Sequence, residues 1–321
     1  MRRHLFIYCF ISTLCIAPSF VFAQTQAELT RDALQLSVSP SYPQSNEAYT
    51  VTLQSYAVQK NTIVWFINGK EDSANRNKNT LTQKAGNTGS KTVITAQVST
   101  NDGTRVEKRV TILPTRIDLH IQSNSVVPAF YKGRALPSNG TPLTVRALVF
   151  TGQNIAASNY LYLWKQDGKI QNGGAVRGNN SFTFTPSFQK EVTVSLEVQS
   201  SDGQIIAQKS QSIPLVQPEL YFYEQNPLRG LSSIALPNTY NFIADEMTIR
   251  AEGYFMDPSL QGSSILKEWK IGNKVANTIS GDPQEITVRK EGNSGTSKLS
   301  FHIRNLQQLL QGVEKSITLK F

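Results

Sequence analysis

The chain has almost no cysteine, little histidine and little charge. Its two cysteines, Cys9 and Cys15, both lie in the first apolar stretch, and only three of the 321 residues are histidines. Beyond residue 23 no cysteine remains, and the histidines are His120 and His302. That excludes thiol nucleophiles, disulfide frameworks and Cys/His zinc sites from the rest of the chain. Charged residues make up 17%, below the roughly 25% of an average domain, so neither a charge-driven disordered chain nor a charge-laced helical rod fits. No Gly-x-Ser-x-Gly elbow, His-Glu-x-x-His run or phosphate-cradling glycine loop is present either. A glycosidase needs only two carboxylates, which keeps an enzyme formally open. The expectation is a protein that is not an enzyme, with no cofactor and no metal.

The longest apolar stretch comes first. Met1-Arg2-Arg3-His4 is a short basic start, Leu5 to Phe22 is mostly apolar, and Val21-Phe22-Ala23 ends on the small residue that a signal peptidase reads. Residues 1–23 are therefore expected to be a signal peptide and 24–33 a polar lead-in. The alternative is retention of the segment as an anchor, since it approaches the ~20 residues that span a bilayer. In both cases the remainder is expected outside the cytoplasm: secreted, periplasmic or at the cell surface. No second apolar stretch of that length follows, so membrane insertion beyond the signal segment is not expected.

The net charge of +9 falls to +7 once Arg2 and Arg3 leave with the signal, and it is spread thinly from Arg31 to Lys320. Nucleic-acid binding asks for basic residues gathered on one face with stacking aromatics. Arg76-Asn77-Lys78 and Lys108-Arg109 are too sparse for that. Weak attraction to an anionic surface polymer is compatible with this charge.

What is abundant is repetition. The three tryptophans open similar phrases: Trp65-Phe66-Ile67-Asn68-Gly69-Lys70, Trp164-Lys165-Gln166-Asp167-Gly168-Lys169 and, more loosely, Trp269-Lys270-Ile271-Gly272-Asn273-Lys274. Asn101-Asp102-Gly103 and Ser201-Asp202-Gly203 follow the first two at matching distances. Ala135-Leu136-Pro137 matches Ala235-Leu236-Pro237, and Thr144-Val145-Arg146-Ala147 matches Thr248-Ile249-Arg250-Ala251. Lys84 to Gly89 matches Lys290 to Gly295. Several matches in one order define a repeat of about 100 residues.

Each copy reads as strands. Thr50-Val51-Thr52-Leu53, Val192 to Val198 and Leu299 to Ile303 alternate polar and apolar, the pattern of a sheet with one face in a core. Asn68-Gly69 and Asp167-Gly168 are two-residue hairpin signals, because a type I′ turn needs positive φ at both central positions. Asp102-Gly103 and Asp202-Gly203 carry the same signal later in the copy. Short strands with frequent turns in ~100-residue blocks describe antiparallel β-sandwiches. The expected modules are 34–114, 115–217 and 218–321. The junctions around Pro114 and around Pro214 and Pro218 are short and stiffened by proline, which favours a semi-rigid rod.

A tryptophan on a central strand, a hairpin, then a long alternating strand ending in Asp-Gly resembles the immunoglobulin-like and polycystic-kidney-disease-type (PKD) modules of bacterial secreted and cell-surface proteins. The resemblance spans roughly residues 34–321. It lacks the disulfide of antibody domains, and Asn-Gly-Lys and Asp-Gly-Lys replace the Gly-Asp-Gly of strict PKD modules. It implies an all-β fold of three tandem antiparallel immunoglobulin-like β-sandwiches. It carries no catalytic residue across, because fold alone does not confer function. What it does imply is a structural or adhesion protein, a spacer or protein-binding rod at the cell surface or in an envelope or appendage assembly. Other envelope proteins are then its partners. The alternative is a carbohydrate- or cell-wall-polymer-binding protein.

Trp65, Trp164 and Trp269 are read as core anchors rather than exposed sugar platforms, since they recur at one position of alternating strands. His120 and His302 sit on alternating strands of different modules and are read as outward residues, without a shared metal. Asn139-Gly140-Thr141 and Asn179-Asn180-Ser181 match the glycosylation pattern, which arises by chance in so Asn-rich a chain. One face of Tyr221-Phe222-Tyr223 must point outward, so either the two tyrosines or Phe222 are expected to be exposed or buried in the junction with module two, and the junction is favoured. After Asn305, Leu306, Leu309 and Leu310 with Val313 follow helical spacing up to Gly312. This segment is expected either to plug the last sandwich or to dock a partner. The loops Glu71–Asn79, Asn172–Asn180 and Met256–Ser264 are the expected contact loops.

Overall fold

A computed structural model describes residues 34–55, 60–101, 103–153, 155–258, 265–278, 281–292, 294–306 and 311–321. The expected signal peptide and lead-in lie outside the described residues, as do Asp102, Leu309 and Leu310. Among the described residues the regular elements are strands and two 3-10 turns, and no helix is long and apolar enough to cross a membrane.

Contacts divide the chain into two compact units. One comprises Met1–Ser41, Ala48–Lys84 and Thr92–Ile112, and the other comprises Tyr42–Glu47, Ala85–Lys91 and Leu113–Phe321. In the first unit β1 (Leu34–Ser39), β2 (Ala48–Ser55) and β5 (Thr80–Lys84) form a three-stranded sheet in the order β1-β2-β5. The sheet β4-β3-β6-β7 combines β3 (Lys60–Ile67), β4 (Lys70–Asp72), β6 (Thr92–Thr100) and β7 (Arg105–Ile112).

The second unit holds two further pairs of sheets. The earlier pair has β8 (Arg116–Ser123), β9 (Leu143–Phe150) and β13 (Ser181–Phe184) in the order β13-β9-β8. Its other sheet joins β10 (Leu161–Gln166), β11 (Lys169–Ile170), β12 (Val176–Arg177), β14 (Glu191–Gln199) and β15 (Ile205–Pro214), with β11 and β12 both pairing with β10. The later pair opens with β16 (Glu219–Asn226), β17 (Gly230–Ala235), β19 (Glu246–Tyr254) and β22 (Glu285–Arg289), ordered β17-β16-β19-β22. Its partner sheet is β18-β24-β23-β20-β21, from β18 (Thr239–Asn241), β20 (Ile265–Ile271), β21 (Lys274–Ala276), β23 (Thr296–Asn305) and β24 (Gly312–Lys320). The chain is thus a tandem array of immunoglobulin-like β-sandwiches.

Alternation builds these sheets. In β14, Val192, Val194, Leu196 and Val198 are buried while the residues between them face outward, and in β6 Ile94, Ala96 and Val98 do the same. Each strand therefore sends one face into its core and leaves the other in water. Trp65, Trp164 and Trp269 are 0%, 1% and 1% exposed. Each indole is satisfied in the same way, by donating its Nε1–H to a backbone carbonyl of the loop that follows: to Lys78 O at 2.9 Å, Asn179 O at 2.8 Å and Pro283 O at 3.1 Å. A buried indole without such an acceptor would forfeit a hydrogen bond to water.

A second copied detail lies on the opposite sheet. Thr50 and Thr82, Thr144 and Thr183, and Thr248 and Thr287 face each other across strands with hydroxyl separations of 3.0, 2.9 and 2.9 Å. Such cross-strand threonine pairs fix register.

In two copies the Trp hairpins place both central residues in the left-handed region. Asn68 and Gly69 have φ of 50° and 83°, Asp167 and Gly168 of 48° and 78°. Asn68 Oδ1 accepts from Val93 N at 2.8 Å and Asp167 Oδ1 from Thr193 N at 2.9 Å, so each turn is tied to the neighbouring strand. In the third copy the order is Gly-Asn, and only Gly272, at φ 61°, takes the left-handed region. That is the type II′ pattern, with glycine first.

Asp202-Gly203 departs from the expected two-residue turn. Ser200 N donates to Gln204 O at 2.9 Å and Gly203 N to Ser200 O at 3.0 Å, with Gly203 at φ 84°. The loop thus has three residues, and glycine alone supplies the left-handed position. Gly103, at φ 84°, repeats this pattern: Thr100 N donates to Thr104 O and Gly103 N to Thr100 O. Among the described residues antiparallel pairing has two exceptions. β18 runs parallel to β24, and Ser138 makes a parallel bridge to Val216. In each case a connection between two strands of one sheet, β17 to β19 or β8 to β9, reaches the end of its copy, at β24 or just beyond β15.

Candidate functional site: the junction and cleft of the second unit

Two adjacent features stand out in the second unit, an aromatic junction between its two sandwiches and a cleft of mixed polar and apolar lining beside it. The junction begins with β16. Phe222, 1% exposed, enters the third core and packs its ring 5.5 Å from that of Trp269. Tyr221 and Tyr223, pointing the other way as alternation requires, meet Val127, Phe130 and Tyr131 of the second sandwich. Phe130 lies edge-on to Tyr223 at 5.1 Å, and Tyr131 edge-on to Tyr254 at 5.4 Å. The Tyr223 and Tyr254 hydroxyls are 2.6 Å apart. Burial, reinforced by that contact, pushes the Tyr223 phenol far above its ordinary range. The expectation that the Tyr-Phe-Tyr run turns to the junction thus describes its two tyrosines, while its phenylalanine belongs to the core.

Backbone hydrogen bonds seal the same junction. Val126 N donates to Met256 O at 2.7 Å and Phe255 N to Val126 O at 2.8 Å. Ser138 Oγ, fully buried, donates to Phe255 O at 2.5 Å. Phe255 holds φ 58° here, a conformation that costs a bulky residue energy and persists only where its surroundings enforce it. Met256 and Asp257 are buried at this point. The expected contact loop Met256–Ser264 is therefore corrected at its start, because those two residues are occupied by the junction; 259–264 lie outside the described residues.

Gln311 is the keystone. It is 0% exposed; its Nε2 donates to Asn139 O and to Thr141 Oγ1 (3.2 Å), and its Oε1 accepts from Asp257 N at 2.9 Å. One side chain thereby joins a loop of the second sandwich to two segments of the third. Gly140, at φ 82°, would place a Cβ 3.0 Å from the Gln311 side chain, so a larger residue would displace Gln311 and hold a strained left-handed backbone. Asn305 is the last residue of β23 and donates its N–H to Gln311 O at 2.8 Å. The described ends of the expected helical segment are therefore strand: Arg304 pairs with Gly312. Leu306 is exposed, and Leu309 and Leu310 lie outside the described residues.

The cleft, about 310 Å³, is lined by Val126–Ala129 on one side and by Arg250, Glu252, Met256, Asp257 and Gln284 on the other. Its charge is organised around Arg250. Nε meets Glu252 at 2.5 Å, and Nη1 meets both Asp282 and Glu285 at 2.7 Å. Burial would lower the Arg250 pKa, but the three carboxylates outweigh it and hold the guanidinium above its ordinary range. Burial likewise would raise Asp282; the N–H of Gln284 and the guanidinium reverse this and keep its carboxyl below the usual range. Lys267, beside them, is lowered by burial and donates to Gln284 Oε1 at 3.1 Å. These carboxylates are committed to Arg250. Among the described residues no group of three or more His, Cys, Asp or Glu could hold a metal ion.

The other expected residues are dispersed. His120 is exposed on β8 and His302 half-buried on β23. Asn139 is 5% exposed, with its amide donating to Gln189 O at 2.8 Å and accepting from Gln189 N at 3.2 Å, so the Asn139 glycosylation match is inaccessible in the folded chain. The loops 71–79 and 172–180 are largely exposed. Leu228 is 97% exposed, and Ile243, 88% exposed, lines a second cleft of about 470 Å³ together with Glu224–Pro227, Tyr240–Phe242, Ala244 and Glu246–Thr248.

No protein-family model and no curated protein matches the sequence. Among solved structures, the chain is similar to the central fibronectin-III array of RIM-binding protein, at 9% identity over 88% of this chain and 95% of that one, with a TM-score of 0.30. It is also similar to the fibronectin(III)-like modules of Clostridium thermocellum CbhA, at 10% identity over 57% and 95%, with a TM-score of 0.27. A third is the three N-terminal domains of the bacteriophage RB49 Highly Immunogenic Outer Capsid protein, at 12% identity over 89% and 97%, with a TM-score of 0.26.

Proposed function

We propose that this chain is an extracytoplasmic, non-enzymatic structural and adhesion protein, in which sandwich modules at 34–114, 115–217 and 218–321 follow a signal peptide at 1–23 and hold a contact surface away from its point of attachment. The observation that carries the reading is the junction of the second unit. Linked domains ordinarily meet through small, polar, mobile interfaces. Here an aromatic cluster, backbone bridges and the buried Gln311 join two sandwiches. A spacer that transmits position needs such a joint; a tether does not. The exposed loops 71–79 and 172–180 are the proposed contacts, with envelope proteins as partners.

The second reading, binding of a carbohydrate or wall polymer, is favoured by the four polar groups, Arg250, Glu252, Asp257 and Gln284, in the lining of the cleft. One experiment separates the two. The purified chain is incubated with isolated envelopes before and after protease treatment. Capture that disappears with the protease, and with Glu71→Lys and Arg177→Glu in the loops, supports the adhesion reading. Capture that survives protease and is abolished by Glu252→Gln overturns it in favour of the polymer.

A further inference from the structure

Three Asn-Gly pairs occur in the chain, at Asn68-Gly69, Asn139-Gly140 and Asn172-Gly173, and their surroundings differ in one chemically decisive respect. We propose that Asn172 is a self-modification site, where the folded protein converts asparagine to aspartate and isoaspartate with water as the only reactant, while the other two pairs are protected.

The reaction is intramolecular. The Gly173 backbone nitrogen, having given its proton to a base in solution, attacks Asn172 Cγ. A new C–N bond closes a five-membered succinimide, the bond from Cγ to the side-chain nitrogen breaks, and ammonia leaves with a proton from water. Water then opens the ring at either carbonyl, giving aspartate or isoaspartate. No oxidant, metal or second protein is required. Attack demands that the side-chain amide rotate freely onto the next nitrogen and that nothing crowd that nitrogen.

Asn68 and Asn172 form a matched pair for testing this demand. Asn68 and Gly69 have φ of 50° and 83°, and Asn172 and Gly173 have 56° and 70°, so the backbone turn is nearly the same. Neither glycine has an atom within 4 Å of where a Cβ would stand. The difference is the side chain. Asn68 Oδ1 is held by Val93 N–H at 2.8 Å and must release it to cyclise. Asn172 is exposed, and no side-chain hydrogen bond restrains it among the described residues. Its turn closes only through Gly174 N to Gln171 O at 3.3 Å, and Gly174, at φ 147°, adds no side chain to the approach. Asn139 is the opposite extreme, buried and bound at both ends of its amide.

Conversion adds a negative charge to an exposed loop of a chain whose formal charge is +9. The isoaspartate product also inserts a methylene into the main chain between β11 and β12, the two short strands that cover the edge of β10. The inference is independent of what that loop contacts.

The test is peptide mapping by mass spectrometry of the intact full chain after incubation at mildly alkaline pH, with and without denaturant. In the folded protein Asn172 is expected to convert about fivefold faster than Asn68, the factor that one hydrogen bond of ordinary net strength supplies, and Asn139 slower still. In denaturant the three rates converge. Asn172→Gln removes the early charge variant from ion-exchange profiles without altering the other two rates. If Asn68 converts as fast as Asn172 in the folded chain, the proposal fails. It also fails if the same ranking persists in denaturant, since local sequence rather than the fold would then set the rates.

Discussion

The second and third sandwiches share a four-residue phrase but use its arginine in opposite ways. In Thr144-Val145-Arg146-Ala147 the arginine is exposed, and among the described residues it forms no ion pair. In Thr248-Ile249-Arg250-Ala251 it is three-quarters buried and bound by three carboxylates. The neighbours explain the contrast. Across the ladder Arg146 faces Ser181, whereas Arg250 faces Glu285; two residues on, Leu148 stands where the third sandwich has Glu252. An arginine on a strand's outer face becomes a structural centre only when acids are placed within its reach. The repeat thus preserves the core while its outer faces diverge, and in the third copy the diverged face lines a cleft.

The largest expected effects test the shared half of that comparison. Trp164→Ala and Trp269→Ala each remove a buried indole and its hydrogen bond, and each should cost about 3–5 kcal/mol in urea unfolding. Equal costs support equivalence of the two cores; a difference beyond about 2 kcal/mol breaks it. The unshared half follows. Arg250→Met is expected to destabilise by on the order of 2 kcal/mol, less than the loss of a partner in a fully buried pair because solvent reaches part of the cluster. Arg146→Met should stay within about 0.5 kcal/mol.

Acid sharpens the same contrast. Asp282 is held below its unfolded pKa, so its contribution is present above that value and is lost as pH falls through the lower folded one. The stability gap between wild type and Arg250→Met should therefore narrow below about pH 4, and a gap that widens there would contradict the assignment.

Gln311→Ala leaves Asp257 N and the Asn139 carbonyl without this partner and should cost about 1–3 kcal/mol. Because it acts at the joint, calorimetry should split the transition of the second unit into two; a single transition shifted as a whole would mean the aromatic cluster suffices. At the small end, Thr144→Val and Thr248→Val should each cost about 0.2–1 kcal/mol, equally in both copies.

Much of this organisation was legible in the residues. The tryptophan phrases marked the core strands because a buried indole can recur only where the strand, its spacing and an acceptor loop recur with it. Asn68-Gly69 and Asp167-Gly168 each take two successive left-handed positions, which few residues tolerate. The same dipeptide logic missed the three-residue loop at Asp202-Gly203, since the length of a loop depends on where the flanking strands stop pairing. The Arg250 cluster was half visible: Glu252 lies two residues away, but Asp282 and Glu285 come near only through the β19–β22 pairing. Gln311 was not legible at all. In sequence it is one glutamine beside a leucine run, and its three partners, Asn139, Thr141 and Asp257, lie far from it along the chain.

By itself, then, the sequence determined a three-fold series of strands with buried tryptophans, because alternation, turn residues and indole burial are local demands that each copy meets with its own residues. Only the tertiary structure decided which two sandwiches are joined and which arginine gathers acids. Those outcomes depend on groups brought together from distant segments, where a buried amide or guanidinium must find its partners or forfeit the hydrogen bonds water had supplied.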